Sequence, residues 1–139
     1  MKIEIVSGQP ELQVNKLNDF FTELLDKNGI YVGDILQHHF MIYPEYKVGN
    51  QKVIFDKVRA KVREYIENDE DLYILTYSDH VLNAARLEIK ENSIQNCKCH
   101  QLLNDGTDVC ADIDEDGMLS EWVDDIFDVW DTALTKLLS

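Results

Sequence analysis

The chain carries 27 acidic and 13 basic side chains over 139 residues, a formal net charge of −14, and so negative a chain repels nucleic acid and anionic membranes. With 45% apolar residues in periodic positions, it has the composition of one globular domain, which excludes disorder throughout. No apolar run reaches the roughly 18 residues needed to cross a bilayer, Glu4 stands where a signal peptide would be apolar, and three cysteines make no disulfide framework, so a cytoplasmic protein is expected.

Residues 2–6 alternate and predict a short strand, broken by Gly8-Gln9-Pro10. Pro10 suits a helix start, and Leu12, Leu17, Phe20, Phe21, Leu24 and Leu25 then form one helical stripe. Asn28-Gly29 ends that helix. Phe40–Tyr43 predicts a short buried strand closed by Pro44. From residue 51 to 66, Val53, Ile54, Val58, Val62, Tyr65 and Ile66 mark a second amphipathic helix. A polar, acidic turn over residues 68–71 leads to Leu72–Thr76, the best candidate for a central strand. Ser78 is placed to cap a third helix carrying Val81, Leu82, Ala85 and Ile89. Residues 94–103 and 109–113 predict two strands around the turn Asn104-Asp105-Gly106. The alternation predicts a layered α/β domain, and the late strand pair makes its sheet mixed.

Ser120 is expected to start a last helix. At 100° per residue, Trp122, Val123, Ile126, Val129, Trp130, Ala133, Leu134 and Leu137 fall in one arc. Glu121, Asp124, Asp125, Asp128 and Asp131 fill the opposite arc, either as a solvated face or as a surface for a protein partner.

Two segments carry a resemblance. One is Phe40-Met41-Ile42-Tyr43-Pro44-Glu45, followed by Gln51 and an amphipathic helix. The other is Tyr73-Ile74-Leu75-Thr76-Tyr77-Ser78-Asp79-His80-Val81-Leu82-Asn83, followed by Arg86 and Lys90. With Asp116-Gly117, Trp122 and Phe127-Asp128 in order behind them, these resemble the C-terminal part of RecF/SMC-like ABC-type ATPases, including the overcoming-lysogenization-defect type, over about residues 38–130. The resemblance implies an ABC-ATPase C-terminal half-domain, and the departures from it are specific. The chain has no Gly-x-x-x-x-Gly-Lys-Ser/Thr loop to cradle phosphates. The metal-binding acid would fall at Ile42, which has no oxygen to offer magnesium. The neighbouring catalytic carboxylate would fall at Tyr43, a poor base at neutral pH. The switch histidine would fall at Tyr77. Glu45 and His80 match the pattern but lack these partners. The resemblance therefore implies a catalytically incomplete remnant without a nucleotide cofactor.

Other constellations are weaker. Asp112, Asp114, Asp116 and Ser120 occupy calcium-loop positions around Gly117, but the position of the bidentate glutamate is Val123. Cys97, Cys99, His100 and Cys110 have zinc-ligand chemistry, but the Cys-x-Cys spacing is tighter than structural zinc sites use. His38-His39 has no acidic partner at ligand spacing. Ser78-Asp79-His80 are sequence neighbours whose side chains diverge, which is poor geometry for a triad. Lys52, Lys57, Arg59, Lys61 and Arg63, with Arg86 and Lys90 beyond, read as helices bearing ion pairs: Lys57, Lys61 and Glu64 share a face.

The expected function is a non-enzymatic regulatory protein derived from an ATPase half-domain. It would be encoded by a phage or mobile element and would modulate a host ATPase or nuclease. The alternative is an acidic DNA mimic that occupies a nucleic-acid enzyme. Both require a protein partner and neither binds nucleic acid or membrane directly; the oligomeric state is left open.

Overall fold

The structure is a computed structural model that describes residues 1–9, 11–30, 40–43, 51–76, 79–123 and 126, with backbone alone at 40–43, 51, 52, 54 and 79. Its elements are β1 (Ile3–Gly8), α1 (Val14–Lys27), β2 (Phe40–Tyr43), α2 (Gln51–Glu67), β3 (Leu72–Thr76), α3 (Asp79–Asn92), β4 (Cys97–Leu102) and β5 (Asp108–Ile113). They form a five-stranded mixed sheet in the order β2-β3-β1-β4-β5. β1 pairs in parallel with β3 and β4, β2 pairs in parallel with β3, and β5 is antiparallel to β4. The expected α/β layered architecture is present. No helix among the described residues is long and apolar enough to cross a membrane.

β1 occupies the middle of the sheet and is buried along its whole length. Leu72–Thr76, expected to be central, is interior and one strand removed. Because side chains alternate across a strand, the core divides in two. Ile3, Ile5, Leu72, Ile74, Cys97 and Cys99 face α2 and α3. Val6, Tyr73, Leu75 and Leu102 face Leu17, Phe21 and Leu25 of α1.

The three helices end alike. Ile30 N–H bonds Leu25 C=O, Glu70 N–H bonds Tyr65 C=O, and Ile94 N–H bonds Ile89 C=O. In each case the preceding residue, Gly29, Asp69 or Ser93, has a left-handed φ of 75°, 54° or 51°. This is the Schellman closure, for which glycine is the usual residue because it has no Cβ to clash. Asn28-Gly29 signalled it in the sequence; Asp69 and Ser93 did not.

Several boundaries differ from expectation. Gly8 is the last residue of β1 rather than its breaker, and its missing Cβ leaves room for Leu12 Cδ2, which a methyl would approach to 2.9 Å. α1 begins at Val14, and Leu12 is buried ahead of it. β4 starts at Cys97 because Ile94 closes α3 and Asn96 has a φ of 63°. Residues 121–123 are not helical, so no helix starts at Ser120. Gln101, fully buried on β4, instead donates from Nε2 to Glu121 C=O (3.1 Å) and accepts Val123 N–H at Oε1 (2.9 Å). One side-chain amide thus holds 121–123 against the α2–α3 side of the sheet. Trp122 packs there against the core, with the Arg86 guanidinium 5.1 Å from its ring centroid. Trp130 and the rest of the expected helix, Ile126 apart, lie outside the described residues.

Candidate interaction surface

Among the described residues, α1 packs on Val6, Tyr73, Leu75 and Leu102 of its side of the sheet. Beyond it, β1, β4 and β5 present polar side chains at the alternate positions Glu4, Lys98, His100, Asp108, Cys110 and Asp112. His100 is the centre of this face. As an imidazolium it donates from Nε2 to Glu4 Oε1 (2.9 Å) and from Nδ1 to Asp108 Oδ2 (3.3 Å). The Phe20 ring lies 5.4 Å away, tilted by 58°. Lys2 Nζ adds a 3.4 Å contact to Glu4 Oε2 and a 2.7 Å hydrogen bond to Asn28 Oδ1.

The environment holds this proton firmly. Burial disfavours the charged ring, but the hydrogen bonds and charges of Asp108 and Glu4 together outweigh it and push the His100 pKa up to about 9. Glu4 is held below the usual carboxylate range, first by its hydrogen bond to His100, against the opposing effect of burial. With both ring nitrogens engaged, His100 has no lone pair for a proton. Cys110 stands directly opposite it across β4–β5, yet its thiol is pushed up by burial and by the Asp108 charge, with Lys98 opposing. A thiolate nucleophile needs the reverse environment. The cluster joins three strands.

Outside this joint, β5 and its turns are acidic. Asp105, Asp112, Asp114, Glu115 and Asp116 are exposed, and the Asp108 side chain keeps 30% of its surface. Lys98, opposite Asp112, and Lys16, near Asp105, are cations placed among them. The turn after β5 closes on itself. Asp114 Oδ1 accepts the amides of Asp116 (2.9 Å) and Met118 (3.0 Å), and Ser120 Oγ accepts Asp112 N–H (3.0 Å). Gly117 sits at φ 76°, where an added Cβ would come within 2.6 Å of Arg86 C=O. Arg86 Nε also donates to Gly117 C=O at 2.6 Å, which docks the turn on α3. The calcium-loop positions Asp112, Asp114, Asp116 and Ser120 are therefore gathered in one turn, but Asp114 and Ser120 turn oxygens onto backbone amides. Among the described residues no group of three or more His, Cys, Asp or Glu side chains is arranged to hold a metal ion.

The remaining candidate residues scatter. Cys97 and Cys99 point into the α2–α3 core, where burial raises the Cys97 thiol to about 11 and Cys99 further. His100 and the exposed Cys110 lie on the other side of the sheet, so the four zinc-type residues do not converge. Tyr43 and Thr76 are register partners at the ends of β2 and β3, which brings the two strand ends of the resembled motifs side by side. Ile42 precedes Tyr43 on β2; the side chains of both, and Glu45 and Tyr77, lie outside the described residues. His80 is exposed in the first turn of α3. Glu121 is exposed, and Asp124, Asp125, Asp128 and Asp131 lie outside the described residues, as do His38, His39 and Ser78. The ion pairs expected on α2 are present: Arg59 and the exposed Arg63 reach Glu88 of α3, and Lys61 pairs with Glu64 at 3.8 Å.

No family model matches the chain, and no curated protein or solved structure matches it. The Glu4–His100–Asp108 joint escaped the sequence reading because its members are 96 and 8 positions apart. The acidic β5 edge did leave a local signal, since Asp108, Cys110 and Asp112 alternate with Val109, Ala111 and Ile113.

Proposed function

We propose that this chain is a non-enzymatic interaction domain that regulates a nucleic-acid enzyme by occupying its basic surface. The observation that carries the reading is the β5 edge, where Asp105, Asp112, Asp114, Glu115 and Asp116 project from a hairpin tied to the sheet by His100 and to α3 by Arg86. Fixed carboxylates on a rigid edge present a phosphate-like row of charge, and contacts of that kind form fast and weaken steeply with salt. The full engagement of His100 and the raised thiol of Cys110 support a role without catalysis.

A second reading keeps the same class and concerns the partner. The register pairing of Tyr43 with Thr76 favours derivation from an ATPase half-domain, and the partner is then a complete ATPase or its associated nuclease. Affinity capture from the native cell, at low and high salt, separates the two. The wild type is run beside a variant carrying Asp105→Asn, Asp112→Asn, Glu115→Gln and Asp116→Asn. Asp114 is left intact because it accepts two amides of its turn, while Asp105→Asn and Glu115→Gln keep the oxygens that accept from Thr107 N–H and Gln95 Nε2. A basic nucleic-acid enzyme retained at low salt, and lost at high salt and in the variant, is the expected result. An ATPase retained through both changes favours the second reading, and no specific protein in any arm overturns both.

A further inference from the structure

The backbone of β5 has a direction. Leu103 N–H bonds Thr107 C=O, and the register pairs Gln101 with Val109 and Cys99 with Ala111. Alternation then turns the backbone groups of Thr107, Val109 and Ala111 toward β4, and those of Asp108, Cys110 and Asp112 outward. The outward groups of Asp112 are taken: its N–H by Ser120 Oγ and its C=O by Ser120 N–H. Ile113 and Leu119 form a single antiparallel bridge beside them. The segment that makes this bridge would cover the rest of the edge if it continued straight. It leaves instead, because Gln101 holds residues 121–123 on the α2–α3 side of the sheet. Among the described residues, nothing pairs with the outward N–H and C=O of Asp108 and Cys110.

We propose that this stretch of β5, Asp108 to Cys110, accepts an extended segment of a partner protein as an added strand, whose side chains alternate between basic and small apolar. The proposal rests on the acidic-surface reading above and specifies how that surface is read. Backbone groups at an open edge provide affinity in such strand addition, and the alternating pockets beside them provide selectivity. On the α1 side, an added strand lies beside Asp108 and Asp112, whose carboxylates suit Lys or Arg; Asp108 Oδ2 is bound to His100, which leaves its other oxygen to accept. On the other side it lies beside half-buried Val109, which suits a small apolar side chain. A second copy of β5 is disfavoured, since antiparallel self-pairing would bring Asp108 and Asp112 against like charges. Edge carboxylates thus act as a filter: they deter acidic and neutral strands and admit a basic one.

The test uses the full chain and synthetic peptides of alternating Lys and Val. A second peptide has the same composition with the alternation scrambled. A third is N-methylated at the amides that would face β5. Binding is followed by titration at low salt, and amide exchange of Asp108 and Cys110 by NMR. The alternating peptide should bind at least tenfold more tightly than either control and should slow exchange at the Cys110 amide. Cys110→Pro, which removes one outward N–H at an edge position where proline is tolerated, should weaken binding to the level of the controls. Equal binding of all three peptides, without protection of Cys110, overturns strand addition while leaving the acidic-surface reading standing. Absence of binding by every basic peptide at low salt overturns both. The N-methylated peptide decides the matter even if Cys110→Pro does not fold.

Discussion

His100 Nε2 lies 2.9 Å from Glu4 Oε1 although 96 positions separate them in the chain. The same ring reaches Asp108 on β5, so one cation clamps the middle strand of the sheet to its acidic edge. Without the imidazolium, two carboxylates would face each other across β4, with Lys2 beside Glu4.

The clamp makes stability depend on pH above neutrality. His100 is raised from about 6.5 in the unfolded chain to about 9 in the fold. A raised basic group stabilises fully below the unfolded value and loses that contribution as pH climbs through the folded one. The loss between pH 6.5 and 9 should be on the order of 3 kcal/mol. Urea unfolding across that range checks it: the wild type should weaken as pH rises, and His100→Gln should show a much flatter profile. A wild-type curve flat over this window would remove the clamp.

Gln101→Leu should release residues 121–123. Glu121 C=O and Val123 N–H both lose their partner, at a cost of about 1–3 kcal/mol. The local readout is hydrogen exchange at the Val123 amide, which should quicken well beyond the global loss of stability. A Trp122 emission spectrum recorded with Trp130→Phe should shift red as the indole leaves Arg86. Unchanged exchange would mean that the Trp122 contact, not the amide, holds the segment.

What the sequence revealed and what it hid follow from the range of the interactions. Apolar periodicity is local, and it located β2, α2, β3 and the body of α1 closely. Gly29 marked its helix end because the αL position suits glycine; Asp69 and Ser93 occupy the same position unmarked. The helix start expected at Ser120 is absent from residues 121–123, where a buried amide 20 residues earlier takes Glu121 C=O and Val123 N–H and overrides the amphipathic spacing. Glu88 stands three residues after Ala85 and seven after Val81, on the apolar stripe of α3, so its burial was legible as an acid in a core position. Its partners on α2 were not. The expected acidic face lies on residues 121–131, whereas the described acidic row of the sheet edge runs along β5 and its turns, where the sequence shows strand alternation and calcium-loop spacing.

Ser93→Gly should stabilise the protein. A non-glycine residue in the left-handed region costs roughly 1–2 kcal/mol, and glycine's extra chain entropy returns part of that, for a net gain of up to about 1 kcal/mol. Ser93 is exposed at φ 51°, so the exchange removes no packing. Thermal unfolding should show the rise, and a fall in Tm would mean that the serine itself contributes to the closure.

The joint between α2 and α3 rests on a carboxylate with no exposure. Glu88 accepts from Arg59 Nε (2.9 Å), Arg63 Nη2 (2.8 Å) and Asn92 Nδ2 (3.2 Å). Arg59 also reaches Glu91 at 2.7 Å. Breaking a buried pair from one side costs roughly 3–5 kcal/mol because the remaining charge stays buried and unpaired. Arg59→Met should cost less, about 2–3 kcal/mol, because Arg63 remains and Arg59 is itself a quarter exposed and screened. Glu88→Met in the Arg59→Met background should restore much of that stability, since the charge that needed a partner is gone. Chemical denaturation of the single and double variants closes the cycle. If the double variant is weaker than the Arg59→Met single by the full cost of Glu88→Met alone, the two residues are uncoupled and the joint is held by the apolar contacts of Val58, Val62 and Ala85.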